Sequence, residues 1–169
     1  MVLDEPIHIV MYDPAWPRIA EAEIDRLHRE LGEYLVACEH FGSTSVPGCD
    51  AKPSIDLLVG LGTWPALASV RMKLSVIGYE DWGEAGIPGR LYFTARGPQS
   101  FNLAVTLQGS DLWRANVQIR ELLRSDSDLV RQYVDVKHVA VREGCTTLLA
   151  YSHRKADFMS ELRRRATRG

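Results

Sequence analysis

The chain has 169 residues, of which 46% are hydrophobic and 25% charged, with a formal net charge of −2. This is ordinary globular composition for about one domain, 1–169; it excludes bulk disorder, and the charge argues against a strongly basic nucleic-acid-binding domain. No run approaches the roughly 18 apolar residues of a membrane helix, and the first ten residues carry Asp4 and Glu5 but no basic n-region, so a cytoplasmic protein without membrane association or signal peptide is expected.

In chain order, the first predicted element is a helix from about Pro14 to Tyr34. Asp13 is its expected N-cap and Pro14 its first residue, and Trp16, Ala20, Ile24, Leu27, Leu31 and Leu35 form one apolar stripe. A strand over Tyr34–Phe41 leads into a turn-rich segment, Gly42–Pro53. A buried strand follows at Ser54–Val59, interrupted by a single acid, Asp56. A second helix is expected over Thr63–Ser75, with Pro65 in its first turn, then a short strand at Gly78–Trp82. Two strands, Arg90–Ala95 and Ser100–Leu107, flank an Arg-Gly-Pro turn. Three helices close the chain: from Ser110 or Asp111 to Arg124, Ser125 to Val141, and Thr146 to Ala166. The pattern predicts an α/β (α+β) domain, a mixed sheet with flanking helices and a helical C-terminal half.

Chemistry concentrates in His40–Val59. Gly42 permits close backbone approach to a ligand, and a turn bearing the hydroxyls of Ser43, Thr44 and Ser45 can cradle phosphate. Lys52 supplies positive charge nearby. Asp56 inside an apolar strand needs a partner or a metal. Ten residues separate Ser43 from Ser54-Ile55-Asp56-Leu57. That layout is similar to the nucleotidyltransferase superfamily, in which a Gly-Ser turn holds a triphosphate and an Asp-x-Asp strand holds magnesium. Here Asp56 falls on the second carboxylate and Ser54 replaces the first, while the later strand offers Asn102 in place of an acid.

Larger motifs extend the likeness along residues 10–165. They are Tyr12-Asp-Pro-Ala-Trp-Pro17, His40-Phe-Gly-Ser-Thr-Ser-Val-Pro-Gly48, Ala51-Lys-Pro-Ser-Ile-Asp-Leu-Leu58, Gly86-Ile-Pro-Gly-Arg-Leu-Tyr-Phe93, Trp113-Arg114 and Tyr151-Ser-His-Arg-Lys-Ala-Asp-Phe158. On these the chain resembles the GrpB family of small bacterial proteins. The resemblance implies a nucleotidyltransferase-like fold. It implies a non-catalytic or weakly catalytic module that binds a nucleotide or another phosphate ester, the alternative being an active Mg²⁺-dependent nucleotidyltransferase. A protein partner is a further expectation. The later-strand His-Leu-His common in the family is Asn102-Leu103-Ala104 here.

Asp56 is thus the candidate catalytic and Mg²⁺-binding residue. Gly42, Ser43, Thr44, Ser45, Lys52, Arg90 and Lys155 are the candidate phosphate ligands. Structural readings stand beside these. Asp56 can pair with Lys52 or Arg90, and Arg90 with Glu84 or Asp81. Lys155 lies in the apolar stripe Leu148, Tyr151, Lys155, Phe158 and Leu162, so its head either snorkels to solvent or enters the anion pocket. Lys137 and Arg114 are weaker candidates for that pocket. His40 reads as a hydrogen-bonded structural residue, and Cys38, Cys49 and Cys145 as reduced thiols.

Overall fold

A computed structural model describes residues 3–64 and 67–167. Helix α1 spans Trp16–Leu31, and a 3-10 turn at Gly32–Tyr34 hands the chain to β1, Leu35–Phe41. The helix starts two residues later than expected. Asp13 Oδ1 accepts from Ala15 N–H at 2.8 Å and Asp13 O from Trp16 N–H at 3.1 Å, so Pro14 and Ala15 form a turn and Pro17 occupies the first helical turn. The stripe behaves as its spacing requires: Trp16, Ala20, Leu27 and Leu31 are buried.

Strand β2 spans Ser54–Leu61 and helix α2 Leu67–Val76; Pro65 lies outside the described residues. Strands β3 (Glu80–Asp81), β4 (Leu91–Ala95) and β5 (Ser100–Leu107) complete one sheet of order β1-β2-β5-β4-β3. Only β2 and β5 run parallel, pairing Asp56 with Asn102; the other ladders are antiparallel.

The period of two divides β2 between two environments. Ile55, Leu57, Val59 and Leu61 join Leu103, Val105, Leu91 and Phe93 in a core against α1 and α2. Ser54, Asp56, Leu58 and Gly60 face the opposite side. There Leu58 and Ala104 pack on Trp113, and Gly60 is needed because a Cβ would sit 2.7 Å from the Trp113 ring.

The C-terminal half is helical. Helix α3 (Asp111–Ser125) is capped by Ser110 Oγ, and α4 (Ser127–Arg142) by Asp126 Oδ1. The last predicted helix is two: α5 (Leu148–Arg154) and α6 (Ala156–Ala166), separated by Lys155 at φ −98°, ψ 3°. The bend lets the segments bury different residues in different places, Tyr151 beside Asp56's end of the sheet and Leu162 in a helical core with Val46, Cys49 and Tyr133. The N-terminal segment ties the halves together through bridges Pro6–Thr147 and Val10–Ala51. No helix among the described residues is long and apolar enough to cross a membrane.

Candidate functional site

Strand β1 ends at Phe41, which pairs across the ladder with Asp56. Gly42 follows at φ 69°, a conformation that favours glycine, and a Cβ there would lie 2.6 Å from Asp56 Oδ2. The chain can therefore pass the carboxyl only as glycine. Ser43–Ser45 then form one 3-10 turn.

The three hydroxyls of that turn have different fates. Ser45 Oγ donates to Gly42 O at 2.6 Å and closes the turn on itself. Thr44 Oγ1 is 2.9 Å from His40 Nε2. Burial, with Arg124 and Arg120 nearby, brings the His40 imidazole down to about 4, so it is neutral at physiological pH. Ser43 Oγ accepts from Lys137 Nζ at 2.8 Å. Lys137 is fully buried on α4, and its ammonium also donates to Asp50 O at 2.7 Å, contacts Cys49 Sγ at 3.1 Å and lies 4.0 Å from the Tyr133 ring centre. Next to it, His138 Nε2 meets Asp50 Oδ2 at 2.9 Å. Helix α4 thus holds the turn from behind.

In front of the turn lies a small cavity of about 40 Å³, lined by Ser43, Thr44, Ala51, Lys52, Ser54, Asp56, Tyr151 and Lys155. One water needs roughly 10–15 Å³ measured this way, so the space suits a few waters or one small oxyanion. Asp56 Oδ1 accepts from Asn102 Nδ2 at 2.8 Å. Burial pushes the Asp56 carboxyl up from its ordinary value, opposed by the Asn102 hydrogen bond and by the charges of Lys52, Lys155 and Arg96. Burial likewise pushes both lysine ammoniums down, and the Asp56 carboxylate opposes it. The Lys155 ammonium sits 4.4 Å from the Tyr151 ring centre, inside the pocket rather than out in solvent. Neither Lys52 nor Lys155 forms an ion pair within 4.0 Å among the described residues. Ser54 Oγ is buried without any hydrogen-bond partner.

Two expected ligands lie elsewhere. Arg90 stands beside Leu91, which pairs with Val105, whereas Asp56 pairs with Asn102. That puts Arg90 about four residues along β5 from the carboxylate, roughly 13 Å. Its Nη2 donates to the backbone oxygens of Glu84 (3.2 Å) and Ala85 (3.1 Å), not to the carboxylates of Glu84 or Asp81, and its guanidinium lies 4.8 Å from the Tyr92 ring centre. Ser45 borders a separate cleft with Tyr12, Pro47 and Arg124. Arg114 is half exposed on α3 and pairs with Asp111.

The arginine that does reach the site is Arg96, read from sequence only as part of a turn. Its Nη2 donates to Asn102 Oδ1 at 2.9 Å, and Nε and Nη2 grip both Glu5 carboxylate oxygens at 2.9 Å. A chain Glu5–Arg96–Asn102–Asp56 results. Glu5, His8, Lys52, Ser54 and Arg96 line a second cleft of about 160 Å³, which shares Lys52 and Ser54 with the smaller cavity. A roomier cleft of about 410 Å³ between Trp64, Pro88, Leu107 and Leu112 lacks such convergent cations.

The donor set fits magnesium poorly. Asp56 is the sole carboxylate on the cavity wall, two ammoniums share that wall, and no three His, Cys, Asp or Glu side chains converge as metal ligands among the described residues.

The fold has counterparts among solved structures. A solved structure of the conserved protein GrpB from Enterococcus faecalis superposes with a TM-score of 0.86 at 28% identity, covering 94% of this chain and 96% of that one. The poly(U) polymerase Cid1, bound to a UTP analogue, shares the fold with a TM-score of 0.55 at 20% identity, over 79% of this chain and 43% of its own. Among curated relatives, the UPF0157 protein YqkA of Bacillus subtilis is 26% identical over 96% of this chain, which spans about half (48%) of that relative's length. The GrpB protein family matches residues 6–165, and the chain belongs to it.

Proposed function

We propose that this protein binds the phosphate end of a nucleotide or similar phosphate ester at the Asp56 cavity, and that it does so without transferring a nucleotidyl group. One observation carries this reading. A cavity of oxyanion size is walled by two lysine ammoniums that, among the described residues, form no close ion pair, beside a buried serine hydroxyl that lacks a partner there. Buried polar groups are ordinarily satisfied, so such a set is built for something that arrives. Ser43 and Thr44 form the back wall. Ser54 and Lys52 continue into the larger cleft, where the rest of an ester has room.

The single carboxylate favours binding over transfer. In-line phosphoryl transfer through metal ions wants several carboxylates to hold them. Here Ser54 supplies a hydroxyl where the first carboxylate of an Asp-x-Asp strand would stand, and Asn102 supplies an amide.

A thermal-shift panel of ATP, GTP, CTP, UTP, dephospho-coenzyme A and pyrophosphate tests the reading. Cid1's UTP analogue makes nucleotides the first ligands to try. A ligand at about 100 times its dissociation constant adds about 2.7 kcal/mol, which raises Tm by roughly 5–10 °C in a domain of this size. At least one phosphorylated ligand is expected to shift the melt. No shift with any of them would refute phosphate binding. Nucleotidyl incorporation that disappears in Asp56→Asn would establish the transferase instead.

A further inference from the structure

We infer that the phosphate seat carries its own positive charge, on Lys52 and Lys155, and takes its oxyanion without a divalent cation. This rests on the phosphate-binding reading and goes beyond it by naming what neutralises the ligand.

The Asp56 carboxylate is the one acid on the cavity wall, and its neighbours already engage it. Asn102 Nδ2 donates to Oδ1 at 2.8 Å, and the Gly42 backbone stands so near Oδ2 that a Cβ would be 2.6 Å away. Asn102 presents its amide hydrogens to Asp56 and gives its oxygen to Arg96. So Asp56 offers a cation a single carboxylate whose Oδ1 already accepts a hydrogen bond, and the neighbouring amide oxygen is already used.

Charge balance points the same way. Arg96 is paired with Glu5 and cancels. On the cavity wall itself that leaves, in formal charges, Lys52 and Lys155 against Asp56, one positive charge in excess, with the Lys137 ammonium behind Ser43. An arriving oxyanion neutralises that excess. A divalent cation would treble it, within a space walled by two ammoniums. Ser54 Oγ, buried and unpartnered, can donate its proton to an anion's oxygen. Lys155 also sits at the break between α5 and α6, with its ammonium over the Tyr151 ring. The seat is therefore assembled from the turn, β2 and the C-terminal helices before any ligand comes.

Titration calorimetry with inorganic pyrophosphate tests this, on the full chain, once in EDTA and once with excess Mg²⁺. Binding is expected in EDTA, with no gain from Mg²⁺. Lys155→Met should weaken it by about 10–100-fold, the loss of one charge-assisted contact, and Lys155→Arg should recover most of it. Asp56→Asn should bind at least as tightly as wild type, because an opposing negative charge has gone. Circular dichroism melts confirm that each variant is folded. Binding that appears only with Mg²⁺ and vanishes in Asp56→Asn would overturn the inference while leaving phosphate binding intact. If pyrophosphate does not bind in either buffer while a nucleotide shifts the melt, the seat is wrongly assigned. If neither registers, the phosphate-binding reading falls with it.

Discussion

Two lysines of the helical half approach the same ring and have opposite circumstances. Lys137 Nζ lies 4.0 Å from the Tyr133 centre and Lys155 Nζ 5.9 Å from it. The first is sealed in and bonded to Ser43, Asp50 and Cys49. The second meets aromatic faces and a cavity. A buried charge with its hydrogen bonds filled is a structural strut, whereas a charge held at a cavity outside any close ion pair is set for a ligand. One helical scaffold thus supplies both the brace behind the serine turn and the cation in front of it.

Substituting the two lysines one at a time separates strut from ligand cation. Lys137→Met should destabilise the fold by about 2–4 kcal/mol, since Ser43 Oγ and Asp50 O lose a buried charged donor. A lowered urea midpoint with unchanged slope would show it. If Lys137→Met melts like wild type, Lys137 is not a strut.

Gly42→Ala comes next, at about 1–3 kcal/mol, because it adds a Cβ against Asp56 Oδ2 at a positive φ. It should also weaken pyrophosphate binding by disturbing Asp56 and Ser43. An alanine variant with both wild-type stability and wild-type binding would mean that the close approach is unimportant.

A smaller effect concerns acid. His40 stays neutral in the fold, its value brought from 6.5 down to about 4, so the unfolded chain takes up a proton first. The associated stability is complete above about pH 6.5 and is lost as pH falls toward about 4. Partial solvent access limits it to about 1–2 kcal/mol. His40→Gln should flatten this part of the Tm-against-pH curve. An unchanged acid slope would remove His40 from the support of Thr44.

Lys155→Met should change stability least, by under about 1 kcal/mol in either direction, because no protein acceptor loses its donor. Its effect belongs to binding. A large loss of stability there would make Lys155 a second strut and erase the distinction.

Much of this molecule is legible in its residues, for identifiable reasons. The 3-4 stripe from Trp16 to Leu31 and the Ser110 cap are local signals, and they form where they read, whereas the fourth helix starts at Ser127 behind an Asp126 cap, two residues later than expected. The Gly42–Ser45 turn and Asp56 are close in sequence and linked by one antiparallel ladder, so their meeting could be foreseen. The bend at Lys155 could not, because its apolar stripe continues through the break. Arg90 and Arg96 exchange roles because distance from Asp56 depends on how β4 pairs with β5, and six residues along an antiparallel hairpin carry a side chain from one end of the sheet to the other. Lys137 lies in a stripe with Tyr133 and Ala140 that looks like any helix core. Its partners, Ser43 and Asp50, are 94 and 87 residues away.

Whether Lys155 faces the phosphate and Lys137 does not is read most directly by an NMR titration of the full chain, with its lysine side chains isotope-labelled and pyrophosphate added in EDTA. The Lys155 side-chain resonance, assigned by its loss in Lys155→Met, should move with saturation as pyrophosphate fills the cavity, while that of Lys137 stays in place. Saturable movement at Lys137 with none at Lys155, or none at either lysine, would contradict the assignment of this cavity as the phosphate seat.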